Sequence, residues 1–288
     1  MTLTGTKTAN NIFYKLALGA TGAAEKAAFD AGLDTADALI ALVSQVQSFY
    51  KLKVSNNAVT PATKIDISAD SIMVADTSHN ALNLKNFSVT VNCGVPGANG
   101  LDTGALATGW YYFYAIAKAD GTMAGLASTS ATTPAMPSGY TFKKLVSALY
   151  YTGGGSNSFL PIKQYDKMVW ISSGGAALFG VSAASWTLKD LSGVVPSNPI
   201  SVIVQPYSVG DFDIAFKISW DSGGTENLLR ITLAKSPLFS GTPPAWNAVD
   251  GTPFTYLLNP SAPQTLYAYG YDSNTRGGLS CLAYELDI

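Results

Sequence analysis

From about Lys51 to the last residue the chain reads as β-structure almost without interruption, and this constrains its fold more than anything else in the sequence. Segment 211–220 alternates cleanly. Phe212, Ile214, Phe216, Ile218 and Trp220 share one face, and Asp211, Asp213, Lys217 and Ser219 share the other, which predicts a strand with one wet side. Segment 110–117 is apolar on both faces, as a central strand requires. Asp120-Gly121 follows it, a hairpin signal that predicts an antiparallel return over 123–127. Further strands are expected at 64–74, 82–91, 143–151, 167–172, 176–188, 200–205, 228–233 and 265–271. Near the C-terminus Leu282, Tyr284, Leu286 and Ile288 alternate with Ala283, Glu285 and Asp287, which predicts a paired strand. Many short strands with Gly, Pro and Asn between them predict a mainly β fold, an antiparallel β-sandwich or jelly roll. A faint likeness between 110–129 and 266–282 is ascribed to the general similarity of hairpins.

The first fifty residues differ. Residues 23–30 form an alanine-rich helical stretch ending near Gly32. Asp34 can cap a second helix, with Asp37 in its first turn where a negative charge suits the helix dipole. Leu39, Leu42, Val46 and Phe49 then follow helical spacing, with Ser44, Gln45, Gln47 and Ser48 between them. Such a helix packs on its own domain or joins subunits in a short parallel bundle. No charge falls between Asp37 and Lys51, so the flanks of a self-sufficient coiled coil are missing and the β-region would have to support the seam. The expected organisation is a short α-helical anchor and oligomerisation region at 1–50 and a β-sandwich region at 51–288, with a sub-boundary placed at 190–200 around Pro196 and Pro199.

Composition narrows the function classes. Of 288 residues 47% are hydrophobic and only 12% charged, against about 25% in an ordinary soluble domain. Mean hydropathy is +0.18. Solubility must rest on Ser, Thr, Asn and Gly, and part of the apolar surface is expected to be buried against other subunits. The net charge is −2, with no Lys/Arg cluster, which argues against nucleic-acid binding. No apolar run approaches the roughly 20 residues of a membrane-spanning helix, so no membrane insertion is expected. The apolar run within 11–19 is short and broken by Lys15, unlike a secretion signal. Cys93 and Cys281 lie far apart, and their spacing leaves open two free thiols in a reducing compartment or a single bridge.

Catalytic signatures are sparse. His79 is the only histidine and sits in the polar turn 76–80, so one subunit cannot build a multi-histidine metal site. No paired-cysteine, HExxH or phosphate-loop motif occurs. Asp221-Ser-Gly-Gly224 echoes a serine-protease nucleophile loop, but it lies between two expected strands and reads as a hairpin turn. Asp211 and Asp213 share a strand face about 7 Å apart, a spacing that some glycosidases use and that any solvated strand face also has. No catalytic residue, metal site or cofactor is therefore expected, and the chain reads as a non-enzyme. Aromatics are plentiful, with 15 Tyr, 12 Phe and 5 Trp. Tyr267, Tyr269 and Tyr271 share one face, and Tyr111 and Phe113 another; such rings stack on sugars or build a core or subunit interface.

Gly100-Leu-Asp-Thr-Gly-Ala-Leu-Ala107, Gly109-Trp-Tyr-Tyr-Phe-Tyr-Ala-Ile116 and Asp120-Gly121, continued by Leu126-Ala-Ser-Thr-Ser130, Pro134, Pro137-Ser-Gly-Tyr-Thr-Phe-Lys-Lys-Leu-Val146 and Asn157-Ser-Phe-Leu-Pro-Ile-Lys-Gln164, resemble a segment of phage and prophage fibre-like structural proteins. The likeness covers roughly 62–170 and carries strands and turns but no catalytic residues. It implies a virion subunit, often a homotrimer, of tail-fibre, head-fibre or decoration type. The expectation is a fibre-type structural component of a bacteriophage virion, assembled in the host cytoplasm. It would bind capsid or tail proteins through its N-terminus and present its β-domain to a host surface glycan or protein. The alternatives are a capsid decoration protein without receptor binding and a cell-encoded carbohydrate-binding module. Receptor contacts are expected after Leu191, with Phe239 and Trp246 on a Gly/Pro-rich loop as candidates.

Overall fold

The computed structural model describes residues 48–153, 158–172, 176–181, 185–209, 214–226, 229–233, 248–250, 253–270 and 277–288. The strands in chain order are β1 (Phe49–Tyr50), β2 (Lys53–Asn56), β3 (Lys64–Ala75), β4 (Ala81–Pro96), β5 (Gly100–Leu101), β6 (Gly109–Ala117), β7 (Met123–Ser128), β8 (Phe142–Tyr151), β9 (Ile162–Tyr165) and β10 (Met168–Ile171). They continue as β11 (Ala176–Val181), β12 (Thr187–Asp190), β13 (Pro199–Val209), β14 (Ile214–Ser219), β15 (Leu229–Leu233), β16 (Ala248–Asp250), β17 (Phe254–Leu257), β18 (Thr265–Gly270) and β19 (Gly277–Leu286). The mainly β class expected from the sequence holds. Residues 49–288 form one compact unit, and positions 190–200 join β12 to β13 within it.

Six strands form a barrel-like ring in the order β3, β4, β5, β7, β6, β8, and Ala75 paired with Lys143 returns β8 to β3. The all-apolar β6 runs between β7 and β8, and its residues 111–117 are buried on both faces, as expected for a central strand. Its hairpin to β7 uses the expected turn: Gly121 takes φ 87°, and the Asp120 carboxylate accepts the Thr122 amide. Tyr111, Phe113, Tyr151 and Phe159 meet edge-to-face, with ring centres 5.1–6.3 Å apart. Each such contact adds about 0.5–1.5 kcal/mol beyond area burial, enough to hold Phe159 against the barrel.

The β3–β4 hairpin changes face midway. Along β3 the buried set is Ile65, Ile67 and Ala69, then Ile72 and Val74; along β4 it is Leu84, then Phe87, Val91 and Cys93. The phase switches where exposed Asp70 stands opposite Asn86, and Asn86 takes φ 53°, a left-handed conformation that asparagine tolerates. Both halves of the hairpin meet the barrel, Ala75 pairing with β8 and Asn92 and Pro96 with β5, while residues 65–68 also pair with β2 of the neighbouring sheet.

That sheet continues from β3 through β2, β9, β10 and β19 to β13, which also carries β16 and β17. Register aligns a single inward row across it: Ile67, Val54, Gln164, Val169, Tyr284, Val202 and Tyr256, all buried. Gln164 is its one amide side chain, and its nitrogen donates to the Val146 and Asp166 carbonyls at 2.7 Å each. Tyr284 donates to the Ala148 carbonyl at 2.7 Å, so the row packs against β8. A separate four-stranded sheet has the order β12, β18, β14, β15.

Several expectations need correcting. Phe49, assigned to the helical seam, lies in β1 opposite Ile72 and packs half-buried against the core; its strand geometry overrides the helical spacing. Leu39, Leu42 and Val46 lie outside the described residues, as do both helical stretches before Phe49. Segment 176–188 is two strands in different sheets. Ser219, placed on a wet face, is fully buried, because its hydroxyl turns to the Asp221 carboxylate and the Glu226 carbonyl. The C-terminal alternation breaks at half-buried Leu282, which the β13 register passes over: Cys281 pairs with Val204 and Ala283 with Ile203, and Cys281, Ala283, Tyr284 and Leu286 are all buried. The second supposed hairpin is no hairpin, since β18 and β19 belong to different sheets. Cys93 and Cys281 are both buried free thiols, so the bridge left open by their spacing is not formed.

Candidate functional site

A strand buried on one face must put every second side chain on the other. Opposite the inward row, the sheet therefore carries two outward rows. One runs Ser68, Lys53, Tyr165, Met168, Glu285; the other runs Asp66, Ser55, Lys163 and Trp170, and ends at Ala283, which is itself buried. Tyr165 is 55% and Trp170 41% exposed, although both are aromatic. They occupy diagonal positions on β9 and β10, a relation that places Cβ atoms about 7–8 Å apart. The centre of the face is a checkerboard in which Tyr165 faces Met168 and Lys163 faces Trp170 across one hairpin.

Charge is arranged around the two rings. Lys53 is the cross-strand partner of Tyr165 and Lys163 that of Trp170. Both lysines are exposed, and among the described residues neither ammonium has a carboxylate partner. The carboxylates of these rows are differently placed. Asp66 accepts from the Asn57 amide at 3.0 Å and the Thr90 hydroxyl at 2.7 Å. Glu285, half-buried and diagonal to Trp170, accepts from Ser201 at 2.9 Å.

Beyond Lys53 the face opens into a shallow depression of about 260 Å3, lined by Lys51, Lys53, Ser68, Asp70, Asn86 and Ser88 among others. It lies where the β3–β4 hairpin changes face. Lys51 and Asp70 pair across it at 2.7 Å, and that hydrogen bond is the main cause of the raised Lys51 pKa. The surface as a whole offers flat rings, ammonium and hydroxyl groups, which suits adsorption of an extended polar ligand.

The residues singled out by sequence fall elsewhere. Tyr111 and Phe113 are core. Tyr267 and Tyr269 are half-buried on the β18 face that also carries Lys217, whose ammonium lies 5.3 Å from the Tyr269 ring centre; Trp186 packs against the same ring. Tyr271, Asp211, Asp213, Phe239 and Trp246 lie outside the described residues. His79 is exposed at φ 63° in a turn organised by Asp76, whose carboxylate accepts from the Ser78 and Asn80 amides and the Asn80 side chain. Asp221 caps its turn in the same manner, accepting from Ser219, Gly223, Thr225 and Glu226, so the Asp-Ser-Gly-Gly segment is the hairpin connection between β14 and β15. Among the described residues no three His, Cys, Asp or Glu side chains converge as metal ligands.

Sequence reasoning passed over Tyr165 and Trp170. The signal was present in Ile162-Lys-Gln-Tyr165 and Met168-Val-Trp-Ile171, two four-residue strands around a two-residue turn in which apolar residues fall on both faces. No protein-family model matches the chain, and no curated protein is significantly similar to it.

Proposed function

We propose that this protein is a non-enzymatic structural subunit of a bacteriophage virion that assembles as a homotrimer and presents its β-body for adhesion to a host surface. The observation that carries adhesion is the outward face of the β2–β9–β10–β19 sheet, where Tyr165 and Trp170 stay exposed on a rigid scaffold. A chain with 12% charged residues and two large rings on one sheet face has surface left for partners. The phage assignment rests on the likeness of 62–170 to fibre-like proteins. On this reading residues 1–50 form a helical anchor to capsid or tail proteins, and the packing of the wide sheet against β8 is the sandwich of a fibre head.

The test is biochemical. Mass photometry of the purified chain should give three times 30.1 kDa, about 90 kDa. Particles banded from lysates of a phage or prophage encoding the chain should contain it, and deletion of 1–48 should remove it from them. A clean monomer that is missing from banded particles overturns the assignment. Particles that carry it but adsorb to hosts equally well without it favour decoration over adhesion.

A further inference from the structure

We propose that the Tyr165–Trp170 face binds an acidic polysaccharide, laid across β2, β9 and β10 with sugar rings on the two aromatics and carboxylates at Lys53 and Lys163. The proposal deepens the adhesion reading and rests on it for biological meaning, but the binding itself is a property of the isolated chain.

Three features select this ligand. A pyranose ring has an apolar face that packs on an aromatic plane, and each ring here remains substantially exposed on a sheet that cannot fold over it. The diagonal placement of Tyr165 and Trp170 on adjacent strands separates the rings along a line oblique to both strands, so two sugars of one chain can be engaged together. Each ring has a lysine as its cross-strand partner, and among the described residues neither lysine is neutralised by a carboxylate. Of the acids beside the rings, Glu285 already accepts from Ser201 and Asp166 from the Leu52 amide.

A second copy of the chain fits less well. The centres of protein interfaces are depleted in lysine, and here Lys163 lies between Tyr165 and Trp170 on the checkerboard. A glycan keeps its hydroxyls and counter-charges hydrated and does not require the lysines to be buried. The depression beside Lys53, with its Ser68, Ser88 and Asn86 rim, extends the strip with hydrogen-bonding groups for further sugars.

Affinity electrophoresis of the full chain in gels containing polygalacturonate, hyaluronate or polysialic acid tests this, with neutral dextran as the control. The wild type should be retarded by at least one acidic polymer and not by dextran. Trp170→Ala and Tyr165→Ala should each weaken retardation at least tenfold in apparent affinity, and Lys53→Ala/Lys163→Ala should remove most of its salt sensitivity. All four side chains are exposed, so unchanged melting temperatures should accompany these losses. Equal mobility in every gel overturns the proposal, as does retardation that survives both ring substitutions or is as strong in dextran. Variants that convert an oligomer to a monomer without altering glycan binding would assign the face to self-assembly. Particle incorporation is scored separately, so a subunit present on virions but inert in every gel loses only the glycan assignment.

Discussion

The Tyr284 hydroxyl donates a 2.7 Å hydrogen bond to the Ala148 carbonyl, joining β19 to β8 across 136 positions of sequence. The ring is fully buried, with Trp110 edge-on at 5.9 Å. Tyr284→Phe keeps the packing and removes the donor. It should lower stability by about 1–2 kcal/mol, whereas Tyr284→Ala should cost about 3–5 kcal/mol. Urea melts of the three proteins measure both steps, and an unshifted Phe variant would show that the bond contributes nothing net.

Alkaline pH should destabilise the fold through its two buried thiols. Burial pushes the Cys93 and Cys281 thiols up to about 12, from the 9.0 of an unconstrained thiol. Between those values the folded chain retains protons that the unfolded chain has released, so stability falls as pH rises. Below pH 9 the contribution is fully present, and each thiol removes up to about 1.4 kcal/mol per pH unit above it. Denaturant midpoints at pH 8, 10 and 11 should fall steeply in the wild type and less steeply in Cys93→Ala/Cys281→Ala.

At the β4–β7 contact, a Cβ on Gly125 would collide with the Val91 side chain and crowd that of Val89. Gly125→Ala should therefore cost about 1–3 kcal/mol by overpacking. Val91→Ala alone should also destabilise, but the double variant should recover part of the loss. Additive losses in thermal melts would mean that the two positions do not share the space.

Acid should act on one turn in particular. The Glu226 amide, then the Ser219 hydroxyl and the Thr225 groups, hold the Asp221 carboxyl well below the usual carboxylate range. Its contribution is present above the ordinary pKa near 4 and is lost as pH falls below that value. Asp221→Ala should melt several degrees below wild type at pH 7, and the gap should close toward pH 2.

The alternating and doubly apolar segments were legible because their burial is a local consequence of strand period: β3, β4, β6, β7 and β8 lie near their expected bounds. The two-residue β1 and β5 and the four-residue β2 and β9 are too short for a period to show, and they exist because long neighbours offer unpaired backbone. Phe49 misled because its place in a 3–4 spacing carries no sign of its pairing with Ile72, which only the fold brings opposite it. The wide sheet's face was hidden for a different reason. Tyr165 and Trp170 become neighbours of Lys53 and Lys163 only through register, which is a tertiary property, and neither the hairpin alone nor the composition reveals which side of it meets water.

The division between the inward row and the two outward rows separates what holds the protein together from what meets its surroundings. Substitutions at Lys53, Lys163, Tyr165 and Trp170 leave Val54, Gln164, Val169 and Tyr284 untouched, although the two sets alternate along the same strands. A lineage can then change what this face recognises by single replacements without a compensating change in the core. Under shifting selection the outward positions should diversify fastest, while the buried row beneath them stays fixed.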